Sequence, residues 1–151
     1  MKRVLFLLVI LTTLFSCKKE KTDYTETDRQ IILDYIASHK LTNAKSTSSG
    51  LYYVIEKEGS SNHPLSSSTV TISYTGTLTD GTVFDLTADG YPATLSLNSV
   101  IQGWREGIPL FGRGGKGLLL IPSALGYGNN ANSGIPANSV LIFEIELIDF
   151  Y

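Results

Sequence analysis

Between Thr69 and Thr75 apolar and polar positions alternate strictly: Val70, Ile72 and Tyr74 point one way, Thr71, Ser73 and Thr75 the other. That period of two is the pattern of a strand buried on one face. Asp80-Gly81 then supplies a hairpin turn, and the chain returns in a second strand that ends in the pair Phe84-Asp85. The same period recurs near the C-terminus, where Leu141, Phe143, Ile145 and Leu147 alternate with positions that include Glu144 and Glu146. Leu51 to Gly59, LYYVIEKEG, has the aromatic and β-branched content of a strand, and Leu118 to Ile121 is a continuous apolar strand. Two segments change to helical spacing. Ile31, Ile32, Tyr35 and Ile36 share one face of a helix predicted over Thr27 to His39, and Thr27 and Gln30 stand at the spacing of a capping box. Val100, Ile101, Trp104 and Ile108 predict a second short helix, which Pro109 is expected to end because it has no amide hydrogen. Leu41 to Ser49 and Ser60 to Ser68 read as polar loops, the latter broken by Pro64. Several antiparallel strands with one short central helix predict an α+β domain in which a strongly curved sheet wraps the helix. The short N-terminal helix is expected to pack against that domain or to fray, and no internal repeat is visible.

The N-terminus adds a location. Lys2 and Arg3 precede an almost wholly apolar run from Val4 to Phe15, too short to cross a hydrocarbon core that needs about 20 residues. Residues 1–16 therefore read as a secretory signal peptide. Ser16 directly precedes Cys17, the only cysteine, and a lone cysteine at this point resembles the lipidated cysteine of a bacterial lipoprotein. Residues 17–26 then form a solvated tether, 27–49 a short helix and loop, and 50–151 the main domain. The implied location is the bacterial cell envelope, with the membrane reached through a lipid anchor. A mature chain without Cys17's sulfur to pair has no internal disulfide to rely on.

Charge and composition remove other classes of function. Removing Lys2 and Arg3 leaves a chain with more acidic than basic side chains out of the original 14 and 12, which gives no electrostatic footprint for nucleic acid. Gly112, Gly114 and Gly117 match a G-x-G-x-x-G pattern, but here a helix precedes and a strand follows, the reverse of a dinucleotide-binding unit; the glycines read as a tight turn. His39 and His63 stand far apart without cysteine or paired carboxylates at ligand spacing, and no G-x-S-x-G elbow is present, so metal and hydrolase chemistries lack support.

Taken in order, TVTISYTGTLTDGTVFD, VIQGW from Val100 to Trp104, LIPSALGYG from Leu120 to Gly128 and VLIFEIELIDF from Val140 to Phe150 resemble the FKBP-type peptidyl-prolyl cis-trans isomerases over about Leu51 to Tyr151. The resemblance implies the FKBP-like form of the α+β fold, isomerase activity on X-Pro bonds without a cofactor or metal, and proline-containing polypeptides as substrates. It also implies a pocket open to macrolide-type inhibitors. Residue by residue, it places Tyr74, Phe84, Val100, Trp104, Ile135 and Phe143 around the substrate proline, with Trp104 as the floor and Pro136 following Ile135 in the loop. It assigns Asp85, Tyr127 and the backbone amide of Ile101 to the polar edge. Two positions depart from the family pattern: Gly126 replaces the usual alanine before Tyr127, and Ala93 stands where many members carry an aromatic residue, which leaves that side of the pocket more open. A lipid-anchored module that binds proline-containing or unfolded segments without turnover is the competing reading, and Ala93 is the feature in its favour.

Overall fold

The alternating segment becomes the central strand of the molecule. The computed structural model describes residues 24–151, so the expected signal peptide, Cys17 and most of the expected tether lie outside the described residues. In chain order these residues form helix α1 (Thr25–Ser38), strands β1 (Lys45–Ser46), β2 (Tyr52–Lys57), β3 (Thr69–Leu78), β4 (Val83–Leu86) and β5 (Ala93–Ser96), helix α2 (Gln102–Gly107), and strands β6 (Lys116–Ile121) and β7 (Leu141–Phe150). The strands make one antiparallel sheet in the order β1-β2-β6-β7-β3-β4, with β5 also paired to β3. Strands β4 and β5 lie one after the other along the same edge of β3: β4 pairs with Thr75–Thr77 and β5 with Thr69–Ile72.

Two apolar clusters occupy the two faces of this sheet. On the concave face Val70, Ile72, Leu97, Trp104, Ile108, Phe111, Leu119, Phe143 and Ile145 are buried around α2. On the other face α1 lays Ile32 onto Val54, Leu120, Val140 and Ile142, with Ile31, Tyr35 and Ile36 at the margin. Burial on both faces explains why β6 reads as an unbroken apolar run instead of an alternation. Helix α2 approaches β6 closely because Gly103 and Gly107, one turn apart, present no side chain. A Cβ on Gly103 would meet Ile121 at 2.5 Å, and one on Gly107 would meet Leu119 at 2.6 Å.

Several local expectations are corrected. Helix α1 starts at Thr25, with Tyr24 as its N-cap and no side-chain cap bond. Thr27 therefore lies inside the helix, and the Gln30 amide donates to Asp34 at 2.8 Å instead of closing a capping box. The second helix begins only at Gln102; Val100 and Ile101 are extended, with ψ of 171° and 153°. The α-helix does end ahead of Pro109, at Gly107, and Pro109 itself sits in a following 3₁₀ turn, Ile108–Leu110, whose opening positions need no amide hydrogen. The segment expected as a loop from Leu41 to Ser49 contains β1. Gly112 to Gly117 forms the tight turn expected, with Gly114 at φ +77° and its N–H donating to the Leu147 carbonyl at 2.6 Å before the chain enters β6.

Candidate active site

At one end of the concave face four rings meet edge to face. Trp104 from α2 lies 4.9 Å from Tyr74 and 5.2 Å from Phe143, centroid to centroid, at interplanar angles of 88° and 80°. Phe84 stands 5.5 Å from Phe143 at 85°. These are the distances and angles at which the electron-poor edge of one ring meets the electron-rich face of the next. Trp104 and Phe143 are each only 4% exposed and form the floor; Tyr74, Phe84, Val100, Ile101 and Tyr127 are half-buried and form the walls.

The backbone explains why the rings can gather. In register, Gly76 on β3 faces Phe143 on β7 and Asp85 on β4. A Cβ at position 76 would meet Phe84 Cε2 at 2.7 Å and Phe143 Cε1 at 2.8 Å. Glycine thus leaves the room the two rings occupy, a role that sequence reading passed over although the glycine stands in the ISYTG motif. The register of β3 and β4 shifts beside it, from Gly76 opposite Asp85 to Thr77 opposite Val83, which makes Phe84 the extra residue of a bulge. A bulge re-aims side chains, and this one lets neighbouring residues serve one site: Phe84 meets Phe143 while Asp85 meets Tyr74.

The rim is polar. The Tyr74 hydroxyl donates to Asp85 Oδ2 at 2.8 Å. Burial, then the hydrogen bond and negative charge of Asp85, push the Tyr74 phenol up to about 12, so it remains a neutral donor throughout the physiological range. Tyr127 lies near enough for its own ionisation to raise Tyr74 further, and no described side chain pairs with the Tyr127 hydroxyl. Ile101 is the N-cap of α2: its carbonyl accepts from Trp104 and Arg105, while no described group accepts from its N–H. Arg105 fixes this corner by donating to the Leu97 and Asn98 carbonyls at 3.2 and 2.8 Å, tying α2 to the turn that delivers Val100. The Trp104 Nε1 hydrogen is buried without a partner among the described residues. Such deficits are uncommon in native structures.

The other expected positions fall at the margins. Ile135 is 4% exposed and packs into the same cluster; its loop is pinned by reciprocal backbone bonds with Asn132 and by the Asn138 N–H donating to the Gly128 carbonyl. Pro136 is exposed. Ala93 opens β5 opposite Ile72 and is half-buried. Two clefts lie elsewhere. One of about 300 Å³ borders Tyr74 and is otherwise lined mainly by Ser73, Thr75, Glu144 and Glu146 together with the 87–90 loop; the other, about 210 Å³, lies between α1 and residues 46–50. Neither includes the ring cluster's floor. His39 stacks on Tyr35 and His63 bonds the Pro109 carbonyl; among the described residues no three His, Cys, Asp or Glu side chains converge as metal ligands.

Comparison with known proteins places the chain in a family. Residues 60–148 match the family described as FKBP-type peptidyl-prolyl cis-trans isomerase. Over 117 residues the chain is 48% identical to the FKBP-type peptidyl-prolyl cis-trans isomerase FkpA of Aeromonas hydrophila; the match covers 76% of this chain and 44% of that protein. The chain thus spans less than half the length of that relative. Among solved structures, FkpA from Escherichia coli superposes with a TM-score of 0.73 at 37% identity, covering 83% of this chain and 62% of that one. A peptidyl-prolyl cis-trans isomerase from Pseudomonas syringae pv. tomato superposes at 0.71 with 30% identity, covering 86% and 98%.

Proposed function

Because the chain belongs to the FKBP-type peptidyl-prolyl cis-trans isomerase family, we propose that it catalyses rotation about X-Pro bonds of polypeptides and so assists their folding. The observation that carries the proposal is the ring cluster of Tyr74, Phe84, Trp104 and Phe143 with the Tyr74–Asp85 hydrogen bond at its rim. An X-Pro amide isomerises in tens to hundreds of seconds, because twisting it sacrifices C–N double-bond character against a barrier of about 18–20 kcal/mol. No nucleophile is needed. A pocket of rings withdraws the amide from water and favours the twisted form, in which resonance and its charge separation are lost. Rate follows from binding that form better than either planar isomer, with each ~1.4 kcal/mol of preference worth tenfold.

In this site the proline ring stacks on Trp104 between Tyr74, Phe84 and Phe143, with Val100 and Ile135 closing the walls. The free N–H of Ile101 and the Tyr127 hydroxyl hold the carbonyls on either side of the rotating bond. Asp85 keeps Tyr74 oriented and the rim polar. Macrolide-type ligands compete for the same rings. The experiment is a direct or protease-coupled isomerisation assay on an X-Pro peptide. Catalysis lost on Trp104→Ala supports the assignment, and binding of the peptide without acceleration would leave the non-catalytic binding module instead.

The proposed setting is the bacterial cell envelope. Residues 1–16 act as signal peptide, Cys17 carries the lipid, the residues between Cys17 and α1 act as tether, and 50–151 act as the isomerase domain. The apolar run ending at Ser16-Cys17 supports this, and none of the described helices is long and apolar enough to cross a membrane. Two or three acyl chains at about 0.8 kcal/mol per buried CH₂ would hold the chain to a bilayer. Cys17→Ala should move it from the detergent phase to the aqueous phase on partitioning; unchanged partitioning would contradict attachment through this residue.

A further inference from the structure

Asp28 is a first-turn residue of α1, a position normally in solvent, yet it is 1% exposed. Its Oδ2 accepts two hydrogen bonds from one residue 95 positions away: the Ser123 backbone N–H at 2.8 Å and the Ser123 hydroxyl at 2.6 Å. Its other oxygen is buried without a partner among the described residues. A half-satisfied buried carboxylate is destabilising relative to an apolar side chain of similar size, so packing alone does not account for it.

Ser123 connects this carboxylate to the rim of the ring cluster. It opens a 3₁₀ turn, Ser123–Leu125, and its carbonyl accepts from the N–H groups of Gly126 at 3.0 Å and Gly128 at 2.8 Å, the two residues that flank Tyr127. Both are glycines, Gly128 at φ +60°, so the backbone at Tyr127 has little stiffness of its own. Downstream the Asn138 N–H ties the Gly128 carbonyl and the Asn130 N–H meets the Tyr127 carbonyl, while upstream the Ser123 carbonyl holds both flanking N–H groups and Asp28 in turn holds Ser123.

Resting on the isomerase reading above, we infer that Asp28 is a positioning residue for catalysis: through Ser123 it holds the Gly126-Tyr127-Gly128 backbone so that the Tyr127 hydroxyl meets the substrate carbonyl. Docking of α1 on the convex face is thereby coupled to the rim of the site on the concave face. Placement of a group used in the transition state acts mainly on kcat, whereas the ring floor that sets KM stays intact.

The test is a cycle on the full chain with an X-Pro peptide, comparing wild type, Asp28→Ala, Tyr127→Phe and the double variant, with Asp28→Asn as the conservative replacement. Asp28→Ala should lower kcat by about fivefold with KM little changed, less than the roughly tenfold expected for Tyr127→Phe. Asp28→Asn, which keeps an acceptor oxygen, should restore most of it. In the Tyr127→Phe background Asp28→Ala should cost little more, because the group it positions is already gone. Full turnover in Asp28→Ala, or the same fold-loss with and without the Tyr127 hydroxyl, overturns the inference. Should Asp28→Ala fail to fold, Ser123→Ala, which removes one of the two donors, replaces it in the cycle under the same criteria. An inactive wild type overturns the isomerase reading and this inference with it; an active wild type with an indifferent Asp28→Ala overturns the inference alone.

Discussion

The two faces of the sheet are built from the same strands and to different ends. Strand β7 sends Phe143 and Ile145 to the concave face and Ile142 to the convex one, and β6 does likewise with Leu119 and Leu120. Under α1 the contacts are mainly aliphatic: Ile32, Val54, Leu120, Val140 and Ile142 are all 4% exposed or less. Around the end of α2 they are aromatic, angled and half-open, edged by a hydroxyl, a carboxylate and a free amide. Aliphatic burial is non-directional and saturates once water is gone. Ring clusters keep faces and edges available to a further ring, which is what a proline-binding surface needs. Both faces bury apolar core, the concave one the larger, but only the concave one also carries the ring cluster proposed as the site.

The largest expected effect breaks the convex face. Leu120→Ala empties a fully buried position beneath α1 and should cost ~2–5 kcal/mol in urea unfolding, while native Trp104 emission stays unchanged, because the link through Asp28 and Ser123 reaches the rim at Tyr127 and not the ring floor; an altered emission would mean that the floor depends on α1 as well. Next, Gly76→Val drives a side chain into Phe84 and Phe143. Overpacking of this kind costs ~1–3 kcal/mol, and here turnover should fall further than stability. Near-UV circular dichroism should report displaced rings; a preserved aromatic spectrum with full activity would contradict the role given to this glycine.

How far each face is legible in sequence follows from the same contrast. Three of the four rings lie in the short motifs ISYTG, VFD and VIQGW and Phe143 lies in the last strand; the resemblance to the FKBP-type family is what implies their meeting in space. Strand β3 and the Asp80-Gly81 turn are equally plain: Gly81 takes φ +88°, and Asp80 accepts from the Thr82 N–H at 2.9 Å. Asp28 is not legible, because a first-turn carboxylate is an ordinary surface residue until a partner 95 positions away is known. That same contact anchors the first turn of α1 to the domain, and no residue around Thr27 signals a start at Thr25. Strands β1 and β5 are two and four residues long, too short for alternation to register, and they exist because longer neighbours offer them an edge. The bulge at Phe84 has no local signal beyond the adjacent Gly76.

Smaller effects sharpen the site itself. Tyr127→Phe and Asp85→Ala should each lower kcat/KM for an X-Pro peptide by roughly tenfold, about 1.4 kcal/mol of transition-state stabilisation, with thermal unfolding unchanged; undiminished turnover in both would remove them from the polar edge. The subtlest effect is in titration. Tyr74's phenol, raised from 10.0 to about 12 in the fold, favours the folded state while it is neutral. Its contribution is complete below the unfolded value and declines as pH rises from about 10 through about 12. Ultraviolet difference titration should show a tyrosine ionising late, and Asp85→Asn should bring that step to lower pH by removing the carboxylate's charge; no movement would deny the pair.

The most direct measurement uses the chain's one tryptophan, which lies at the floor of the ring cluster proposed as the site. A hydrophobic proline mimic or a macrolide is titrated into the full chain while Trp104 emission, its shielding from a soluble quencher and X-Pro turnover are followed in the same sample. The account predicts one half-saturation point for all three, with inhibition competitive against peptide, and tighter binding in Ala93→Phe. Turnover abolished while Trp104 emission and quenching stay unchanged would place the catalytic pocket elsewhere.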